Sequence, residues 1–176
     1  MSSLNVSAVI LAGGEGTRLL PITENLPKPL VPVAGKPCIH LIIELLLSHG
    51  IQDIYITLGC KSDMIRSSIQ KSELMNDRIC FLEEDSPMGT AGAVSLLKEK
   101  VKDDFVVIGG DCVCDFDLSK AIDMHYASGD VATVLLSSAT DPREYGVTVT
   151  EGNRIVRFIE KPGWNRVYSD TVNTGI

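Results

Sequence analysis

Three closely spaced glycines constrain this chain more than any other feature. The apolar run Ala8–Leu11 predicts a buried strand, and Gly13, Gly14 and Gly16 follow it. Glycine adopts positive φ without strain and leaves backbone N–H groups open to a ligand, so such a turn suits phosphate oxygens. The alternative is a tight turn between a strand and a helix that holds no ligand.

Two cations after the glycines favour the ligand-binding interpretation. Arg18 and Lys28 supply donors that suit a polyphosphate, and prolines on both sides of Lys28 make that segment rigid. No Gly-Lys-Ser/Thr closes the loop, so it is not the common P-loop, and Leu19 stands where a dinucleotide fingerprint needs its third glycine. The segment therefore predicts a different phosphate-binding loop.

Strand and helix patterns alternate along most of the chain, which predicts an α/β fold. Strands are expected at Val6–Leu11, Asp53–Leu58, Arg78–Leu82, Phe105–Ile108 and Val131–Leu136, and helices at Lys36–His49, Asp63–Gln70, about Thr90–Lys98 and after the N-cap Asp117. Strand patterns at 146–150 and 154–159 flank Glu151-Gly152-Asn153 and predict a hairpin. We expect a mostly parallel sheet with a late antiparallel hairpin, in one domain over residues 1–176.

Two helix faces carry further expectations. Met64, Ile65 and Ile69 are spaced to face inward. Leu41 and Leu45 lie off the apolar stripe of their helix, which leaves open a second covered side, including a contact with another copy of the chain.

Charge and composition narrow the classes of partner. The formal net charge of −7 argues against a nucleic-acid-binding surface but not against nucleotides. No apolar stretch approaches the roughly 20 residues of a membrane helix, and the first residues lack a signal-peptide pattern. The five cysteines are expected to be mostly buried in a reducing compartment. A cytoplasmic location is therefore predicted.

Asp111 is the candidate metal ligand. Ligands of open α/β sheets collect beyond the carboxyl ends of the strands, and Gly109-Gly110-Asp111 ends the fourth predicted strand. A carboxylate there is expected to share a cleft with the glycine loop and to suit a hard cation such as Mg²⁺. The alternative is a turn aspartate that accepts bonds from nearby backbone N–H groups.

Two other segments each have a purely structural interpretation as well as a functional one. Gly89-Thr90-Ala91-Gly92 places small residues at a predicted helix start, which by itself favours a capped helix entry. Glu160 and Lys161 at a strand end are by default solvated surface, although they could bind sugar hydroxyls and a phosphate monoester.

The opening of the chain closely resembles that of the sugar-1-phosphate nucleotidyltransferases. The matching residues are Gly13-Gly14-Glu15-Gly16-Thr17-Arg18-Leu19, Pro21, Thr23, Pro27-Lys28-Pro29-Leu30-Val31-Pro32-Val33 and Gly35-Lys36-Pro37. The resemblance implies a three-layer, Rossmann-like (GT-A-like) α/β fold. It also implies nucleotidyl transfer from a nucleoside triphosphate to a sugar-1-phosphate, with Mg²⁺ as cofactor.

The resemblance also implies roles for particular residues. The residues that it implies bind the nucleotide are Leu11, Ala12, Gly13, Gly14, Gly16, Thr17, Arg18, Glu84, Pro87, Gly89 and Thr90. The residues that it implies bind the sugar are Gly146, Glu160, Lys161 and Asn173. The implied catalytic residues are Arg18, Lys28, Asp111 and Lys161, and Asp111 is the implied metal ligand. Glu84 is hypothesised to accept bonds from the N1–H and exocyclic amine of guanine.

Segments farther along narrow the resemblance. Cys112–Phe116, Glu160–Trp164 and Tyr168–Ile176 are most similar to bacterial mannose-1-phosphate guanylyltransferases, including those fused to a phosphomannomutase-like domain. GTP and mannose-1-phosphate are therefore the expected substrates. The alternatives are glucose-1-phosphate with UTP, dTTP or ATP, and a non-catalytic subunit that binds nucleotide sugars. Family members continue past the segment matching Asn173-Thr174-Gly175 with further sheet and a second metal-binding Asp, so the resemblance implies a fragment with impaired turnover and missing C-terminal domains.

Overall fold

The computed structural model describes residues 6–176, except for the side chain of Arg18. These residues form two compact units, which divide between Lys120 and Ala121. The strands are β1 (Ser7–Ala12), β2 (Pro32–Val33), β3 (Lys36–Pro37), β4 (Ile54–Leu58), β5 (Ile79–Glu83), β6 (Phe105–Gly109), β7 (Leu136–Ser138), β8 (Gly146–Glu151), β9 (Arg154–Glu160) and β10 (Thr171–Asn173). The α-helices are α1 (Cys38–Ser48), α2 (Ser62–Gln70), α3 (Gly89–Ser95) and α4 (Leu118–Ser128).

The first unit is built on a parallel sheet with the strand order β5-β4-β1-β6. Ile10 of β1 lies opposite Ile56 of β4 and Ile108 of β6, and none of the three is accessible to solvent. The predicted apolar runs form these strands because a parallel sheet covered on both faces needs apolar side chains at consecutive positions. This parallel core is the predicted α/β fold class.

Helices cover both faces of this sheet and give it three layers. On one face Val9 and Leu82 form a buried cluster with Leu97, which follows α3. The other face carries residues such as Ala8 and Ile10, which are fully buried, and the apolar sides of α1 and α2 are fully buried in the same unit. Because the four strands are parallel, the carboxyl ends of β1, β4, β5 and β6 lie along one edge of the sheet.

Two expectations about the helices of this unit are wrong. The helix predicted to begin at Lys36 begins at Cys38, because Lys36 and Pro37 pair with β2 around a tight turn instead. Ala34 and Gly35 in that turn both have positive φ, which suits a two-residue hairpin. Met64 is 40% exposed rather than turned inward, whereas Ile65 and Ile69 are fully buried as predicted.

The cysteine prediction is also wrong in part. Only Cys38 is buried, Cys60 and Cys80 are exposed, and Cys112 and Cys114 lie between these classes. Cys80 is exposed because it lies on β5, an edge strand of the sheet. Among residues 6–176 there is no disulfide bond, and no described helix is both long and apolar enough to cross a membrane.

The second unit contains an antiparallel sheet with the strand order β7-β10-β8-β9. The predicted hairpin is present as β8 and β9, and Gly152 at its turn has a φ of 58°. The hairpin belongs to this separate sheet. The strand predicted from Val131 begins only at Leu136, because β10 pairs with just three residues there, and Val131 is fully exposed.

Asp117 caps α4 as predicted, since its Oδ1 accepts a bond from the backbone N–H of Lys120 at 3.0 Å.

Candidate functional site

The glycine loop begins where β1 ends and folds back on itself. Gly16 has a φ of 69°, a conformation that glycine adopts without strain. Its carbonyl accepts bonds from the backbone N–H of Leu19 at 3.1 Å and from the hydroxyl of Thr23 at 2.8 Å. Thr23 is 2% exposed, so a buried side chain holds the far end of the loop.

A cavity of about 280 Å³ lies beside this loop in the first unit. The residues that line it are Leu11, Ala12, Gly14, Gly16, Thr17, Lys28, Pro29 and Asp111. Seven of these eight were predicted as site residues from the sequence, and the exception is Pro29. The cavity therefore brings the glycine loop, the candidate lysine and the candidate metal ligand together, as expected for the carboxyl ends of neighbouring parallel strands.

Asp111 reaches the cavity because Gly110 packs tightly against β1. The N–H of Gly110 donates to the carbonyl of Leu11 at 2.8 Å. A Cβ at residue 110 would lie 2.9 Å from that carbonyl oxygen and 3.2 Å from Cγ of Pro29, so only glycine fits without displacement. This contact sets the position from which the Asp111 side chain extends.

Lys28 and Asp111 form an ion pair at the cavity. Their side chains are 32% and 38% exposed, so water screens the pair and its contribution to stability is small. Burial, followed by the charge of Asp111, raises the pKa of the nearby Cys38 thiol. Burial raises the pKa of Cys112 to about 12, with its neighbour Cys114 adding to the effect. These two thiols are therefore neutral at physiological pH, and neither lines the cavity, whose charged lining residues are Lys28 and Asp111.

Glu84 packs against the glycine loop from the end of β5. Its backbone N–H donates to the carbonyl of Leu58 at 2.8 Å, which continues the parallel pairing by one residue. A Cβ on Gly13 would overlap the Glu84 carboxylate, so the glycine is what admits this side chain. The carboxylate also accepts a long bond, 3.4 Å, from the N–H of Met88. Glu84 thus connects the glycine loop to the segment before α3.

The other residues predicted near the base are exposed and lie outside the cavity lining. Pro87 precedes α3, which begins at Gly89 and includes Thr90. Gly89 has a φ of 68°, which marks the turn into the helix. Glu84 contacts both this segment, through Met88, and the glycine loop, through Gly13. The prediction for Arg18 concerns a side chain outside the described residues.

Three of the four predicted sugar-binding residues form one row across the second unit. Gly146 of β8 lies opposite Glu160 of β9, and Val147 lies opposite Val172 of β10. One step along this antiparallel register sets Asn173 opposite Gly146. Directly opposed residues project to the same face of a sheet, so the amide, the glycine and the carboxylate share one face.

Lys161, the fourth predicted sugar-binding residue, lies outside this row, because it follows Glu160 along the chain just past the end of β9. Its N–H donates to the carbonyl of Tyr145 at 3.0 Å, and its φ is 41°. That left-handed conformation ends β9 next to Glu160. The side chain of Asn173 accepts a bond from the N–H of Gly175 at 2.9 Å, which leaves its amide nitrogen for other partners.

The loop after β4 touches the glycine loop twice, and our interpretation of the sequence did not include it. A Cβ on Gly59 would lie 2.7 Å from the carbonyl oxygen of Gly13, so the two backbones are in close contact. The ammonium of Lys61 donates to the carbonyls of Thr23 at 2.6 Å and Glu24 at 2.8 Å. The signal that could have found them is their position directly after a parallel strand, where ligand-binding loops lie.

The first unit therefore belongs to a recognisable class. A glycine-rich turn after the first parallel strand, with a lysine and a carboxylate on the same cavity, is typical of α/β proteins that bind phosphorylated nucleotides at the carboxyl edge of the sheet. Comparison with known proteins makes this specific. The chain belongs to the nucleotidyl transferase family, which it matches over residues 7–176.

Curated relatives of this chain are named as mannose-1-phosphate guanyltransferases. A mannose-1-phosphate guanyltransferase of Aspergillus oryzae is 37% identical over 178 residues, which cover 97% of this chain and 48% of that protein. A mannose-1-phosphate guanylyltransferase catalytic subunit beta of Xenopus tropicalis is 34% identical, over 97% of this chain and 49% of that protein. The chain thus spans about half the length of the curated relatives it matches. The predicted resemblance to sugar-1-phosphate nucleotidyltransferases is confirmed.

Solved structures agree on the fold. HddC from Yersinia pseudotuberculosis, in complex with GMP-PN, aligns with a TM-score of 0.77 and 29% identity, over 97% of this chain and 73% of that one. A UDP-glucose pyrophosphorylase complexed with UDP-glucose aligns with a TM-score of 0.84 at 20% identity, over 98% of this chain and 74% of that one, and this second likeness concerns the fold alone.

Proposed function

We propose that this protein transfers a nucleotidyl group from a nucleoside triphosphate to a sugar-1-phosphate and releases pyrophosphate, with GTP and mannose-1-phosphate as its substrates. One observation carries the proposal. The cavity at the end of β1 combines a glycine loop with Lys28 and Asp111, which are the charges that such a transfer uses. In the reaction a phosphate oxygen of the sugar-1-phosphate bonds to the α-phosphorus, and the bond from that phosphorus to the leaving pyrophosphate breaks.

The glycine loop is the proposed binding site of the triphosphate. Gly14 has open space where a Cβ would be, and it lines the cavity with Gly16 and Thr17. Backbone N–H groups can therefore approach phosphate oxygens without a side chain between them. Arg18 and Lys28 would neutralise the phosphates, and no covalent intermediate is needed because positioning and charge neutralisation supply the rate.

Asp111 is the proposed ligand of Mg²⁺. Among the residues that the structure describes, no cluster of three His, Cys, Asp or Glu side chains could hold a metal by itself. Magnesium in nucleotide sites is commonly held by one or two carboxylates together with substrate phosphates and water, so the donor set fits this ion. When bound, the ion would polarise the α-phosphate as a Lewis acid. Lys28 must then leave Asp111, and the phosphates are its proposed new partner.

The row in the second unit is the proposed sugar site. Glu160 can accept bonds from two hydroxyls, and Asn173 offers both an acceptor and two donors. Lys161 beside them supplies a cation for the sugar phosphate. Glu160 and Asn173 lie on either side of Gly146, and the backbone of Lys161 bonds to Tyr145 next to it, which supports this assignment.

Two observations support guanine and mannose within this reaction class. The curated relatives described above carry mannose-1-phosphate guanylyltransferase names at 34–37% identity. Glu84, held against Gly13, presents a carboxylate that could accept two bonds from guanine, whereas uracil and thymine have no paired donors of that kind. The location that we propose is the cytoplasm.

Two alternative functions predict different experimental results. Glucose-1-phosphate with UTP, dTTP or ATP is the same chemistry on other substrates. A non-catalytic subunit that binds a nucleotide sugar would keep both candidate sites without turnover. The presence of Lys28 and Asp111 at one cavity favours catalysis over the second alternative.

The test is pyrophosphate release for every pairing of GTP, UTP, dTTP and ATP with mannose-1-phosphate and glucose-1-phosphate. We expect kcat/KM for GTP with mannose-1-phosphate to exceed every other pairing at least tenfold. A preference for UTP or dTTP with glucose-1-phosphate selects the first alternative. Tight binding of a nucleotide sugar with no pyrophosphate release from any pairing selects the second.

A further inference from the structure

We infer that Lys61 is a positioning residue for the glycine loop, holding it in the conformation that binds a triphosphate. The inference rests on the proposed function, because it assigns the loop to the phosphates. Lys61 itself lines no part of the cavity. Its effect passes through the loop.

The first step is the contact between Lys61 and the far end of the glycine loop. The ammonium donates to two successive carbonyls, those of Thr23 at 2.6 Å and Glu24 at 2.8 Å. Both bonds are charge-assisted, and bonds from a cation are about twice as strong as neutral ones. One side chain thus holds two adjacent peptide groups.

The second step runs from Thr23 to the cavity. The Thr23 hydroxyl donates to the carbonyl of Gly16 at 2.8 Å, and Thr23 is 2% exposed. A Cβ on Gly16 would lie 3.3 Å from the Thr23 methyl group and 3.1 Å from Cβ of Lys28. Gly16 lines the cavity. Movement of residue 23 therefore moves the loop.

The third step is that the same short connection also contacts the other end of the loop. Gly59, two residues before Lys61, packs against the backbone of Gly13. Lys61 has a φ of 57°, an uncommon conformation for a residue with a side chain, and it directly precedes α2. Residues 59–61 thus bracket the glycine loop from Gly13 to Thr23. This arrangement assigns the connection after β4 a role in nucleotide binding.

The test compares GTP with GMP, because the loop is proposed to hold the outer phosphates. Calorimetric dissociation constants are measured for the wild-type protein, Lys61→Met, Lys61→Arg and Lys71→Met. Lys71 is an exposed lysine just past the end of α2, so its variant is the matched control. If the binding-competent loop falls to a tenth of its population, the apparent dissociation constant rises tenfold.

We expect Lys61→Met to raise the dissociation constant of GTP about tenfold and that of GMP less than twofold. Lys61→Arg should restore most of the GTP affinity, because guanidinium also donates to two carbonyls. Lys71→Met should match the wild type. A merely structural role would lower the melting temperature of Lys61→Met without changing the ratio of the GTP and GMP constants.

A second variant keeps the test open if Lys61→Met folds poorly. Thr23→Val keeps the shape of the side chain and removes the bond to Gly16, and it should raise the GTP constant in the same selective way. An unchanged ratio in both variants, with normal GTP binding by the wild-type protein, overturns the inference alone. Failure of the wild-type protein to bind GTP contradicts the proposed function, and the inference fails with it.

Discussion

Lys28 and Asp111 are ion-paired across the candidate nucleotide cavity, so each charge satisfies the other in the absence of ligand. Lys28 follows the glycine loop, and Asp111 follows β6. Binding of a metal and a triphosphate would replace this single pair with a carboxylate–metal contact and an ammonium–phosphate contact. On the proposed roles of Lys28 and Asp111, the two binding events would therefore be coupled.

Asp111→Asn tests the metal assignment. The amide keeps the size of the side chain but removes the charge, so we expect Mn²⁺ binding in the presence of GTP to be lost in electron paramagnetic resonance titrations. Turnover should fall on the order of 10²–10³-fold, the usual cost of removing one transition-state charge. Asp103→Asn, on an exposed loop, is the control. Unchanged Mn²⁺ affinity in Asp111→Asn would remove this residue from the metal site.

Gly59→Ala and Gly14→Ala separate folding from binding. A Cβ on Gly59 would meet the Gly13 carbonyl at 2.7 Å, so we expect urea unfolding to show a loss of about 2 kcal/mol, as for overpacked sites. A Cβ on Gly14 meets nothing within 4 Å, and Gly14 lines the cavity in which the phosphates are proposed to bind. Gly14→Ala should therefore keep wild-type stability and lose at least tenfold in GTP affinity. The reverse pattern would contradict the assigned loop geometry.

Glu84→Gln tests base selection. The neutral amide accepts one bond fewer from the guanine edge, so the ratio of kcat/KM for GTP to that for UTP should fall at least tenfold. Glu83→Gln is the adjacent control, because Glu83 forms an ion pair with Arg66 instead. Equal changes in both variants would show that general charge at the end of β5, rather than Glu84, sets the preference.

Glu160→Gln tests the row in the second unit. We expect KM for mannose-1-phosphate to rise at least tenfold while the dissociation constant of GTP stays within twofold. Glu151→Gln, at the opposite end of the same hairpin, is the matched control and should leave both constants unchanged. A rise in the GTP constant instead would move Glu160 out of the sugar site.

His40 gives a prediction for the pH dependence of stability. Burial lowers the pKa of His40 from its usual 6.5, and the charge of Lys36 acts in the same direction while Glu44 opposes it. The unfolded chain therefore binds the proton more readily, so the free energy of unfolding should decrease as the pH falls from about 7.5 through 6.5. Urea unfolding should show a weaker decrease in His40→Gln. An identical decrease in the variant would assign the effect to other groups.

The strands and the cavity residues of the first unit could be predicted because their signals are local. Ala8–Leu11 and Phe105–Ile108 are apolar runs that a covered parallel sheet requires, and the glycines and Asp111 follow their ends. Lys61 could not be found in this way. Its partners lie 37 and 38 positions away, so its role exists only after two loops have been brought together.

The wrong expectations concern features that a neighbouring element decides. Val131 has strand propensity, but β7 obtains a partner only from Leu136 onward. Met64 matches the helical period, yet the surface that buries Ile65 and Ile69 of the same helix leaves Met64 40% exposed. Pro37 suits the first turn of a helix, which predicts a helix from Lys36, but both residues pair with β2 in a hairpin instead.

The absence of a side chain at Gly146 gives the proposed sugar site its aromatic surface. The Phe158 ring lies over this glycine and is 50% exposed, while Asn173 and Glu160 stand on either side of the same row. A ligand bound on this face would therefore contact an aromatic ring flanked by polar side chains. An amphipathic ligand, with an apolar ring face and hydroxyls around its rim, would fit such a surface, and a pyranose, the ligand proposed for this site, has that shape.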